Sequence, residues 1–305
     1  MAPKKPLPAP ADLRAVCTVG APVIGLTASA GRIAASVMGL SGGRLTGSQV
    51  SLWDAATGAL VRRVGADEGG VCWQAAVSPD GSLVAAGFGD CTFRVWEVAT
   101  GVERLRASLG GIVASVTWSD DGRFVFTGNC GDKTVRLWDV AAGAVVAQHR
   151  SPRSIMWFTA MAGDLRSAAS GNADKAVHLW DPRTCAPKGS LEGHAGKILA
   201  LAYARDGARL ASASQDKTAR VWDPASSRCV AVLAGHTKPV TAVCFTDGGD
   251  VVTASSDGTV RVWRAPAYTE VRVWSLGATH ACGVASLGAE VFLGCDDGVV
   301  RAATR

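Results

Sequence analysis

Five histidines and nine cysteines are the side chains of this 305-residue chain best suited to metal binding, acid–base work or nucleophilic attack. The histidines are His149, His178, His194, His236 and His280. The cysteines stand at 17, 72, 91, 130, 185, 229, 244, 282 and 295. A structural zinc site draws ligands from closely spaced pairs such as Cys-x-x-Cys. No such pair occurs, so no metal is expected. His149 and His280 have no acidic or cysteine neighbour in sequence, and His178 sits where most repeats place an arginine. Aspartates recur as Asp-x-Thr and Trp-Asp, but at even spacing, which marks turn and cap positions rather than paired acids. No phosphate-binding loop is present. The expectation is a protein that is not an enzyme, with no catalytic residues and no cofactor. The odd cysteine count, and thiols such as Cys244 and Cys282 inside apolar runs, fit a reduced intracellular setting, cytoplasmic and/or nuclear.

The elements that carry these residues are set by a repeat. Trp53, Trp96, Trp138, Trp180, Trp222 and Trp263 follow one another at 43, 42, 42, 42 and 41 residues, a propeller-blade period. Around them the text is QVSLWD, TFRVWE, TVRLWD, AVHLWD, TARVWD and TVRVWR, alternating with period two as half-buried strands do. Earlier in each unit come hairpin turns such as Ser78-Pro79-Asp80-Gly81 and Arg205-Asp206-Gly207. Asp-Gly supplies the positive φ that tight hairpins need. A further run, such as Leu60–Val64, follows each tryptophan strand, giving four antiparallel strands per unit. Asp297-Gly298-Val299-Val300-Arg301 repeats Asp257-Gly258-Thr259-Val260-Arg261 and marks a seventh unit, with Ala303 at the tryptophan position. That unit lacks a fourth strand, and residues 13–19 are a spare one. The chain is expected to be all-β: one seven-bladed β-propeller of four-stranded antiparallel sheets over 13–305. Its ring closes by the N-terminal strand pairing with the C-terminal blade. Residues 1–12 read as a flexible lead.

These units resemble the WD-repeat family over essentially residues 13–305. Two carry its full signature: Gly193-His194, Asp216 and Trp222-Asp223, then Gly235-His236, Asp257 and Trp263. The resemblance implies a hydrogen-bonded tetrad of His, Ser/Thr, Asp and Trp in each. The hydroxyl would be Ser212 or Ser214 in the first, with Ser212 favoured, and Thr253 or Ser255 in the second, with Thr253 favoured. Other units depart from the pattern. Those at 132–138 and 174–180 lack Gly-His, the 90–96 unit lacks the hydroxyl too, and the first has a longer Ser41–Gln49 loop in place of the turn Asp. The first and last blades are expected to be the softest. The arginines at 94, 136, 220, 261 and 301 recur at one strand position and read as solvated or paired between blades.

The family resemblance also implies a role: a non-catalytic scaffold or adaptor subunit that binds other proteins, as a single propeller within a hetero-complex. Partner peptides would meet the top rim of the central channel. The family's contact positions fall on Ile24, Trp73, Ala114, Met156, Leu199, Thr241 and Gly283, with Lys197 and Gln215 beside them. Trp73, Met156 and Leu199 would form an apolar mouth, and Arg153, Lys197 and Lys238 a basic border, suited to a peptide with apolar anchors and an acidic neighbour. Trp180-Asp181-Pro182-Arg183 resembles the motif by which some WD-repeat proteins dock on the adaptor of cullin-RING ubiquitin ligases, with Arg183 as the docking residue. The alternative role is therefore a substrate receptor of such a ligase. The net charge of +5 forms no stripe, so nucleic acid is not an expected partner. No run of eighteen apolar residues exists, so neither is a membrane.

Overall fold

The twofold alternation of each repeat becomes four strands joined by tight turns. The turn glycines Gly81 and Gly207 have φ of 75° and 67°, a region open to glycine but strained for other residues. A computed structural model describes residues 13–41, 44–65, 70–151 and 156–304. These form seven separate four-stranded antiparallel sheets. Blade I spans residues 23–64, blade II 72–108, blade III 113–150, blade IV 156–191, blade V 198–234 and blade VI 240–275. Blade VII takes three strands from 281–304 and its fourth from Leu13–Thr18. Leu13 faces Ala303 and Thr18 faces Val299 across that closing ladder. The ring is thus shut by the start of the chain, and no blade is left one strand short.

The core lies between blades rather than within any one sheet. Val50 and Leu52 of blade I pack with Cys72, Val84 and Trp96 of blade II. Val221 and Leu233 of blade V pack with Val251 and Trp263 of blade VI. Phe292 and Ala302 of blade VII pack with Ile33 and Trp53 of blade I, so the closing interface is built like the others. In each case the tryptophan fills the interface with the preceding blade. Blade VII has Ala303 at that place, and the same cluster holds the fully buried Trp274 from the outer strand of blade VI. The matching outer-strand residues in blades IV and V are Leu191 and Leu233. A larger side chain from the neighbour thus supplies the volume that alanine lacks, which keeps the interface close-packed.

The sequence reading of Ser41–Gln49 as a loop is corrected here. Arg32–Ser41 and Arg44–Asp54 are long strands whose pairing continues to Leu40 opposite Leu45 and Ser41 opposite Arg44. The segment extends a hairpin because its backbone groups find partners across the ladder. The lead 1–12 lies outside the described residues.

Candidate functional site

Each innermost strand opens with a β-bulge, and always at the same place. The register slips between Val23 and Gly25, Cys72 and Gln74, Val113 and Ser115, Met156 and Phe158, Ile198 and Ala200, Val240 and Ala242, and Ala281 and Gly283. The residues left over are Ile24, Trp73, Ala114, Trp157, Leu199, Thr241 and Cys282. A bulged residue is released from the pleat and re-aimed. Six of the seven line the upper part of the central channel, a space of about 410 Å³. The side chain of Trp157 is not described. Trp73, Leu199, Ile24 and Thr241 are half-buried, and Cys282 is exposed.

This register corrects two sequence assignments. Met156 pairs with Asn172 as Ile198 pairs with Ser214, so the residue matching Leu199 is Trp157, one place later. By the same count Cys282, not Gly283, takes the position in blade VII. Both errors arose in blades without a Gly-His to count from. Only the backbone of Met156 is described, and Arg153 lies outside the described residues. Lys197, Lys238 and Gln215 are exposed. The Gln215 N–H donates to Lys197 O at 2.9 Å, which puts the turn before the tryptophan strand and the link before the innermost strand on one face.

Below that face the turns are clamped. In blade V, Trp222 Nε1 donates to Ser212 Oγ at 2.8 Å, and Ser212 Oγ lies 2.8 Å from His194 Nε2. His194 Nδ1 lies 2.8 Å from Asp216 Oδ2. A neutral imidazole with its proton on Nδ1 satisfies every member: it donates to the carboxylate and accepts from the hydroxyl. Burial lowers the His194 pKa below the ordinary value and favours that neutral form. Burial alone would raise Asp216, but hydrogen bonds from Thr218, His194 and the Ala195 N–H hold it down to about 2. Blade VI repeats the set, with His236 at 3.0 Å from Asp257, 2.9 Å from Thr253 Oγ1, and Trp263 Nε1 donating to Thr253 Oγ1 at 2.9 Å. Ser214 and Ser255 instead accept the N–H of Asp216 and Asp257.

The arginine set is corrected as well: several pair within their own blade. Arg94 Nη2 reaches Asp90 at 2.6 Å, Arg136 Nη2 reaches Asp132 at 2.5 Å, and Arg301 grips Asp297 with two nitrogens at 3.0 and 2.5 Å. His178 does the same with Asp174 at 2.8 Å. Arg220 and Arg261 turn outward, Arg261 to Glu270 and Arg220 over the Trp222 ring. His280 has an acidic neighbour after all, because strand pairing brings its Nδ1 to 3.1 Å from Asp296. His149 packs on the Trp180 ring at 5.5 Å. Gly39-Leu40-Ser41-Gly42-Gly43 fits the Gly-x-Ser-x-Gly pattern, which sequence reasoning passed over. It joins two antiparallel strands rather than a strand and a helix, and Gly42 and Gly43 lie outside the described residues. Among the described residues no group of three His, Cys, Asp or Glu could hold a metal ion.

The family model described as "WD domain, G-beta repeat" matches residues 58–97, 102–139, 185–223 and 227–264, just over half of the chain. The chain belongs to the WD-repeat family. WD-repeat propellers generally mediate protein–protein interaction. The matched units run from one outer strand into the next tryptophan strand, so each straddles two of the observed blades. No curated protein matches the chain. Among the described residues, no helix is long and apolar enough to cross a membrane. Arg183, in the Trp180-Asp181-Pro182-Arg183 string, is exposed, and its N–H donates to Asp181 Oδ1 at 2.9 Å.

Proposed function

We propose that this WD-repeat propeller is a non-catalytic platform that takes a segment of a partner protein into the upper mouth of its channel. The bulge ring carries the reading. Ile24, Trp73, Ala114 and Leu199 leave the strand pairing and meet around one opening. Such an opening fits one or two apolar side chains, with a tryptophan and a leucine as anchors. The histidines of blades V and VI are consumed by their clamps, which leaves the mouth with apolar, hydroxyl and thiol groups.

The test is capture of partners by wild type and by Trp73→Ala and Leu199→Ala. Anchor loss should weaken binding by roughly 2 kcal/mol, about thirtyfold. Retention of every partner by both variants, with thermal midpoints unchanged, would remove the reading. A second reading, substrate receptor of a cullin-RING ligase, rests on the exposed guanidinium of Arg183. Among the described residues no hydrogen bond or ion pair engages it. Arg183→Ala in the same experiment should then release the ligase adaptor alone while the mouth partners stay.

A further inference from the structure

We infer that the partner segment is acidic and leaves the mouth across blades IV, V and VI. This rests on the mouth reading above and adds the chemistry and path of its occupant. The described part of the chain has six lysines, at 133, 175, 188, 197, 217 and 238. All but Lys188 lie in the turns and links of the upper face. Lys175, Lys197, Lys217 and Lys238 are exposed, and among the described residues no carboxylate pairs with them.

The turn aspartates beside them are already occupied, which leaves Glu192 as an exposed carboxylate on this arc without a cationic partner among the described residues. Asp174 is held by His178, Asp216 by His194 and Asp257 by His236. Glu192, at the start of the link into blade V, accepts from Ser190 at 3.5 Å. Blades II and VII differ. There Cys91 and Gly298 occupy the turn position that Lys175 and Lys217 occupy in IV and V, and Asp296 and Asp297 are exposed. Unpaired positive charge is thus concentrated on the arc of blades IV, V and VI, whereas Asp296 and Asp297 of blade VII are taken by His280 and Arg301.

Lys175 and Lys217 also carry φ of 71° and 72°, a strained conformation that Gly258 and Gly298 accept freely at the matching turns. Cys91 and Lys133 share this conformation, with φ of 67° and 57°, so it belongs to the turn, and it is the exposed charge that sets the lysines apart. An ammonium group is a mobile, well-hydrated point charge suited to steering a flexible acidic chain. Nucleic acid fits less well, since it needs a longer basic track. Four lysines beside a small apolar opening instead match a peptide with one anchor and a run of carboxylates.

Fluorescence anisotropy with a short labelled peptide, glutamates around a single leucine, tests this. The variants are Lys175→Glu with Lys217→Glu, the neutral Lys175→Gln with Lys217→Gln in case reversal harms folding, and Lys188→Glu away from the face. The double reversal should weaken binding about tenfold and flatten its salt dependence, as sign changes at exposed contacts do. Lys188→Glu should bind as wild type does. Undiminished binding by folded double variants overturns the inference, as does tighter binding of single-stranded RNA or phosphatidylserine vesicles than of the peptide. If Leu199→Ala releases the partner while the lysine variants keep it, the mouth stands and the acidic path falls. If the lysine variants release it while Leu199→Ala and Trp73→Ala do not, the acidic path stands and the mouth falls.

Discussion

Blades V and VI hold their turn aspartate with a histidine, whereas blades II, III and VII hold theirs with the arginine four residues later. The carboxylate is common to both arrangements and the donor is not. A half-buried carboxylate must be satisfied, and any well-placed donor on the blade can do it. The histidine does more than the arginine. It also reaches the hydroxyl that receives the tryptophan N–H, so the turn, the second strand and the tryptophan strand become one network. In blade III the network divides: Arg136 holds Asp132, while Trp138 Nε1 donates to Thr127 Oγ1 separately at 3.1 Å. Leu109 stands where His194 would, four residues before the paired start of the innermost strand, and cannot hold a carboxylate. The same contrast explains the glycine before each histidine. With the aspartate taken, Arg220 and Arg261 lie against Gly193 and Gly235, where an added Cβ would come within 2.6 Å of a guanidinium nitrogen.

The sharpest way to break the comparison is to remove an arginine from each class. Arg94 is 2% exposed, bonded to Asp90 and Thr92, and lies over the Phe88 ring. Arg94→Ala should destabilise by about 3 kcal/mol, because it removes a buried side chain packed on Phe88 together with the hydrogen bonds that Thr92 and Asp90 accept from it. Arg220→Ala should cost about 1 kcal/mol or less, since the half-buried side chain loses its packing on Trp222 but leaves no carboxylate without a partner. Urea unfolding of both variants decides. Equal losses would mean that the two arginines are not in different roles.

A smaller effect probes whether the two clamps are interchangeable. His194→Ala breaks the blade V network and should cost about 2 kcal/mol, from unmet buried groups. Arg220 is four residues from Asp216, as Arg94 is from Asp90, and among the described residues its buried Nε has no hydrogen bond. With the imidazole gone it can turn to Asp216. The double variant His194→Ala with Arg220→Ala should therefore fall about 1 kcal/mol below the sum of the singles. Strict additivity would show that the arginine does not substitute.

What could be read from the sequence follows the same division. The tryptophan period and the paired turns gave seven blades and the closing strand, because a twofold alternation leaves few other ways to bury its apolar face. Where Gly-His was present, Lys197, Leu199 and Thr241 could be counted from it. Where it was absent, the count slipped by one at Met156 and Gly283, since a bulge adds a residue that no local pattern announces. The arginine pairing was equally hidden. One strand position turns inward in blade II and outward in blade V, although an aspartate stands four residues earlier in both, and only the presence or absence of the histidine that takes that aspartate decides which. Trp274 went unnoticed because its purpose is set by Ala303, a residue of the next blade.

The smallest effect is one of pH, and its sign separates the two classes. In blade V, burial holds the His194 pKa below its ordinary 6.5, so the unfolded chain takes up that proton first. Its contribution to stability is full above about pH 6.5 and declines as pH falls below that value. Asp216 titrates at about 2 in the fold against an ordinary 3.8, so its contribution persists to about pH 4 and is lost as pH falls further toward 2. Both act in the same direction: acid weakens blade V. In blade III the clamp on Asp132 is a guanidinium, which keeps its charge throughout this range. Between pH 7 and pH 5, then, amides of blade V should lose more hydrogen-exchange protection than those of blade III, after correction for intrinsic exchange rates. His194→Ala should remove that difference. Equal loss in the two blades would show that the imidazole contributes nothing that the arginine does not, and the distinction between the clamps would reduce to geometry alone.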